Sequence, residues 1–179
     1  MPIYTQEDHQ QVIERIKGKI KDLSIIMGEV LPENVIVDFE TQCGIRLPQA
    51  YRLFLQEVGN GCEDMLDGFS LRRLEDMPRK DLTQPFGLDE AWIWEDDDQS
   101  EGDALEEAIE SSVFQGEIAL IEVGCSISYH LIVSGKCQGE VWCFTDVGVQ
   151  PCCERQDFLG WFELWLDQQE SVDYFQDYQ

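Results

Sequence analysis

The chain has 179 residues, 43% of them hydrophobic, which is enough for one buried core and favours one domain with an appended arm. Its 37 acidic residues against 12 basic ones give a formal net charge of −25. Such a surface excludes nucleic acid as a partner, because a phosphate backbone needs Lys and Arg on the contact face, and suits a basic protein instead. No apolar run approaches the roughly 18–20 residues of a membrane span.

The N-terminus (Met1 to Asp8) has neither a basic n-region nor an apolar h-region. The expected compartment is therefore the cytoplasm. Seven cysteines, an odd number with no C-x-x-C pair, point to reduced thiols rather than a disulfide framework or a zinc site. Cys152 and Cys153 read as a buried or half-buried pair at a strand end, the alternative being a reactive pair.

Thr5 to Ile20 is predicted to form the first helix, with Thr5 as N-cap and Val12, Ile13, Ile16 and Ile20 as its apolar stripe. Arg15, Lys17, Lys19 and Lys21 make the densest basic cluster, read as a solvated face that complements the acidic body. A second helix is expected over Pro32 to Cys43, with Val35, Ile36 and Phe39 inward and Gly44 as its stop. A third starts at Pro48, where a missing N–H costs nothing. Its face is Tyr51, Phe54, Leu55 and Val58, and Gly59, Asn60 and Gly61 end it.

Beyond a turn-rich loop, Phe69 to Leu74 alternates in part and reads as a short strand, and Met77 to Gly87 as loop. From Asp89 to Glu110 there are eleven acidic residues and no basic one. Glu95 to Asp103 is too charged to pack and reads as a solvated loop. Trp92 and Trp94 beside it are either the edge of the core or the rim of a binding surface. A helix is expected from Asp103 to Val113, with Ala104, Leu105, Ala108 and Ile109 on one side.

The rest turns to β structure. Ile118 to Val123 reads as a strand ended by Gly124. Ile127 to Ser134 alternates as a half-buried strand, and Glu140 to Thr145 returns antiparallel after a turn. There, Val141, Cys143 and Thr145 share one face and Trp142 and Phe144 the other. Gly148 and Pro151 read as breakers. Asp157 caps a last helix whose stripe is Phe158, Trp161, Phe162, Trp165 and Leu166, suited to covering a sheet. The tail from Ser171 is acidic and aromatic.

No catalytic constellation shows. There is no Gly-x-Ser-x-Gly elbow, no H-E-x-x-H and no Walker loop. His9 sits among polar neighbours, and His130 lies on a strand opposite the expected core face. Asp96, Asp97 and Asp98 lack the spacing and glycine of a calcium loop. No metal and no cofactor is expected.

The run from Gly44 to Gly61 (Gly-Ile-x-Leu-Pro-x-x-Tyr-Arg-x-Phe-Leu-x-x-x-Gly-Asn-Gly) resembles the opening motif of the SUKH superfamily. The strand ending in Gly124, the Tyr129 to Gly135 strand, Gly139 to Trp142 and the Phe158 to Leu166 helix are similar to its C-terminal pattern. The match runs from about Val35 to Leu166. It departs at Gly124 to Ile127, where the family often has a glycine-rich junction, and at the acidic insert.

The resemblance implies an α+β domain: a mainly antiparallel sheet flanked by helices. Residues 31–170 would form it, with an acidic insert at about 89–110. Residues 1–30 would be a packed N-terminal helix and linker, and 171–179 a tail. It also implies binding rather than catalysis: a bacterial immunity protein that neutralises a toxin, or a regulator and scaffold of the Smi/Knr type. For the first role the charge suggests a basic toxin domain such as a nuclease, met by Trp92, Trp94, Glu95, Asp96, Asp97, Asp98, Glu101 and Asp103. The bland alternative is that these acids are only solvated.

Overall fold

A computed structural model of the protein describes residues 6–64, 68–96, 102–152 and 157–167. Five α-helices and one five-stranded antiparallel sheet are seen among them, an α+β domain. The helices are α1 (His9–Asp22), α2 (Glu33–Cys43), α3 (Gln49–Glu57), α4 (Asp103–Ser112) and α5 (Phe158–Leu166). The strands are β1 (Trp92–Ile93), β2 (Glu117–Gly124), β3 (Ile127–Ile132), β4 (Val141–Phe144) and β5 (Gly148–Pro151), in the order β1-β5-β4-β3-β2. No helix among the described residues is long and apolar enough to cross a membrane.

One face of the sheet carries the main core. Tyr129 pairs with Cys143 and Leu131 with Val141, and these residues join the buried cluster built on α1, α2, α3 and α5. The whole α5 stripe is buried, together with Leu159, Gly160, Glu163 and Leu164 between its members. Trp161 and Trp165 pack on Tyr129 at 5.6 and 5.3 Å, while Phe54 of α3 sits edge-on to Phe158 and Phe162 at 4.8 and 4.7 Å. Edge-to-face aromatic packing of this kind contributes beyond its buried area.

The expected half-buried character of β3 needs correction. Ile132, Trp142, Phe144 and Val149 point to the opposite face, where Phe86, Val113 and Cys137 bury them in a second cluster. The sheet is covered on both sides, so its strands show apolar residues at both parities.

Other readings also change. Gly148 and Pro151 delimit β5 rather than break the pattern. A Cβ at residue 148 would lie 2.6 Å from Ile93 Cδ1, so the glycine lets β1 approach. Phe69 to Leu74 is not a strand: Leu71 makes a single bridge to Cys62, and a 3-10 turn follows at Leu74–Asp76. Val35 is exposed, while Ile36 and Phe39 are buried as expected. The third helix begins one residue after Pro48, its N-cap.

Gly44 closes α2 with a left-handed φ of 68°, and Asp157 caps α5 by accepting from Gly160 N at 2.7 Å. The first helix starts at His9 with Asp8, not Thr5, at its N-cap, and Cys153 and the tail lie outside the described residues.

Candidate protein-binding face

Trp92 and Trp94 stand where the second cluster meets the acidic insert. Trp92 pairs with Val149 of β5 and Ile93 with Gly148, which adds β1 to the sheet edge. The chain then enters a 3-10 turn, Trp94–Asp96, held by Glu95 N donating to Val147 O at 3.2 Å. Trp94 Nε1 donates to Asp146 O at 2.8 Å, and the two indoles meet edge-on at 5.6 Å. Both rings are half-buried against the second cluster. Each therefore serves as core edge and still offers a partly open aromatic surface.

Glu95 is exposed beside them, and Asp96 ends the turn. Asp97, Asp98 and Glu101 lie outside the described residues. Asp103 is exposed and opens α4, where a carboxylate favours the positive end of the helix dipole.

No residue of α4 is buried. Ile109 leans on the second cluster, and the helix is fastened at its end by buried Val113 and by Gly87 N donating to Ser112 O at 2.8 Å. Its carboxylates at Asp103, Glu106, Glu107 and Glu110 are exposed, and none makes an ion pair with a described residue. One base on this side, Lys136, is taken by Asp89 at 2.6 Å. The result is an uncompensated negative face on the side of the sheet where the two tryptophans also pack.

Three of the four bases in the α1 cluster are, by contrast, consumed, and Lys21 stays exposed. Arg15 grips Glu163 of α5 through Nε and Nη2, both at 2.9 Å. Lys19 reaches Glu163 at 3.0 Å and Asp167 at 2.7 Å, and Lys17 reaches Glu14 and Glu57. Burial lowers the Lys19 pKa, but the two carboxylates outweigh it and leave it above its ordinary value.

Both histidines are satisfied. His9 lies among polar groups, as expected, but is buried on α1, with Nε2 3.7 Å from Asp157 Oδ2. Burial pushes the Asp157 carboxyl up, and Gly160 N–H and His9 pull it partly back. The pair floors an open cleft of about 450 Å³ walled by Arg46, Gln49 and Gln138.

His130 stacks flat on Phe144 at 3.9 Å, with Nδ1 2.5 Å from Glu117 Oε2 and Nε2 2.8 Å from Ser128 Oγ. A carboxylate only accepts, so in the neutral ring Nδ1 donates to Glu117 and Nε2 accepts from Ser128. This has the order of a nucleophile–base–acid chain. Ser128, however, is a strand residue paired with Glu122 on one side and Phe144 on the other, with no strand-to-helix turn to present it. Its hydroxyl completes the hydrogen bonding of a nearly buried ring.

Among the described residues no cluster of three or more His, Cys, Asp or Glu can hold a metal. The described thiols are free, and of them only Cys125 is exposed.

A second surface escaped the sequence reading. The connection between α1 and α2, taken as a linker, exposes Ile26, Val30 and Leu23. The signal was present as apolar residues at both odd and even positions from Leu23 to Leu31.

No protein-family model, curated protein or solved structure matches the chain.

Proposed function

We propose that the protein is a non-catalytic binding protein of the SUKH type: an immunity protein that neutralises a toxin by covering it. The observation that carries this reading is the uncompensated acidic face on α4. Its carboxylates contribute nothing to the core, and α4 packs on the same second cluster as Trp92 and Trp94, residue types that anchor interfaces. A basic cleft that binds nucleic acid is the natural complement. An acidic face speeds encounter with it and occupies the place of its substrate.

The test pairs the chain with a basic nuclease toxin domain encoded beside its gene. Mixing should give a complex and abolish nuclease activity. Replacing Asp103, Glu106, Glu107 and Glu110 by their amides should slow association about tenfold and flatten its salt dependence. Unchanged kinetics would remove the acidic face from the account. Full nuclease activity in a large excess of the chain would count against immunity itself.

A further inference from the structure

The segment Ile25 to Leu31 runs along the loop after α3. Met27 bridges Cys62, Gly28 N donates to Gly61 O at 2.7 Å, and Asn60 N donates to Glu29 O at 3.2 Å. A Cβ at residue 28 would lie 2.3 Å from Asn60 O, so glycine is required for this approach.

The side chains alternate. Ile25, Met27 and Leu31 pack on the main core. Ile26 and Val30 face outward, 84% and 50% exposed, and Ile26 is the most exposed of the large apolar side chains described. Apolar residues on both faces of an extended segment are the pattern of one covered on both sides. Here the outer side is open, and Leu23, where α1 ends, is exposed as well.

The rim is acidic. Asp22, Glu29, Asp38 and Asp64 are exposed and make no ion pair with a described residue, while Glu33 and the buried Glu40 are held by Arg52. A hollow of about 400 Å³ beside Ile26 is lined by Met27, Gly28, Glu63, Asp64 and Arg73. Arg73 is held by Glu63 at 3.0 Å, so the cation in the hollow is already paired. An apolar centre within a charged rim is the anatomy of a protein interface.

We infer that this surface docks a basic amphipathic segment of a partner protein. The partner's aliphatic side chains lie over Ile26 and Val30, and its Lys and Arg meet Glu29 and Asp64. The inference rests on the reading of the chain as a binding protein and places a second contact apart from α4. A second copy of the chain is the wrong occupant, because two acidic rims repel.

The probe is a fluorescent Leu–Lys peptide with leucines at helical spacing, titrated into the full chain by anisotropy at about 0.15 M salt, where the screening length is about 8 Å. Ile26→Asp should weaken binding at least about tenfold, and Ile26→Ser and Val30→Asp should weaken it in the same direction. The sign decides the matter: Ile26→Asp adds a negative charge, so binding by charge alone would tighten. Trp94→Ala should leave affinity within about twofold, and a Ser–Lys peptide of equal charge should bind about tenfold more weakly.

Equal or tighter binding by Ile26→Asp, or a loss confined to Trp94→Ala, would overturn the inference. A dimer seen by sedimentation that Ile26→Asp dissolves would overturn it too, because a second copy would then occupy the site. Each of these results leaves the nuclease test of the α4 face standing.

Discussion

The clasp between α1 and α5 yields the most demanding test of the electrostatic account. The Glu163 side chain is 8% exposed and answers to two cations, Arg15 at 46% and Lys19 at 29% exposure. Arg15→Ala alone leaves Lys19 at 3.0 Å, so its cost should be that of a partly exposed pair, about 1 kcal/mol. Removing both cations strands a buried carboxylate, which costs about 3 kcal/mol, the low end for a broken buried pair because Arg15 is half in water.

For a domain of this size that loss lowers Tm by about 6–12 °C. The double variant should therefore exceed the sum of the singles by roughly 1 kcal/mol. Adding Glu163→Met to it should recover most of the loss, since an apolar residue tolerates the site once the charges are gone. Thermal melts followed by circular dichroism read all four variants. A double variant melting within about 2 °C of the parent, or one that Glu163→Met does not rescue, would refute the reasoning.

Three further expectations follow from single sites. Asp157→Ala removes the α5 cap and the partner of His9 and should cost about 1–2 kcal/mol in urea unfolding, whereas Asp157→Asn keeps a capping oxygen and should cost less than half as much. Burial pushes the Cys143 thiol up to about 12 from 9.0, so the native state holds its proton above pH 9 while the unfolded chain releases it. Stability is thus full below about pH 9 and falls toward pH 12 by about 1.4 kcal/mol per pH unit for each such group. Tyr51, raised by burial, and Lys19 act in the same direction higher up, and urea curves at rising pH should be shallower in slope for Cys143→Ala. Cys125 and Ser126 both hold left-handed φ, 50° and 62°, in the two-residue β2–β3 turn, so Ser126→Gly should stabilise by about 0.5–1 kcal/mol in the same assay.

Local periodicity made the helices legible. The α5 stripe, the Gly44 stop and the Asp157 cap each depend on residues within a few positions of one another. The β3–β4 hairpin was equally local. What stayed hidden was non-local. Phe86, Val113, Trp142 and Val149 lie far apart in the chain, and only the sheet order brings them into a second core. Gly148 and Pro151 looked like breakers because the approach of Ile93, which makes glycine necessary there, comes from a segment that reads as an acidic insert.

At the candidate binding face, the sequence singled out Trp92, Trp94 and Asp103 but not Glu106, Glu107 and Glu110. It did not show that the indoles lean on the core through Val149 and Asp146. The burial of His9 was not legible because its partner, Asp157, lies at the far end of the chain.

The central claim is that the acidic body binds a basic protein. The most direct measurement is purification of the tagged chain from its own cells, followed by reconstitution of any recovered partner and titration of the complex over rising salt. The account predicts one basic toxin domain in a stoichiometric complex whose affinity falls as salt screens the charges. Recovery of the chain alone, or of a partner whose affinity ignores salt, would contradict it.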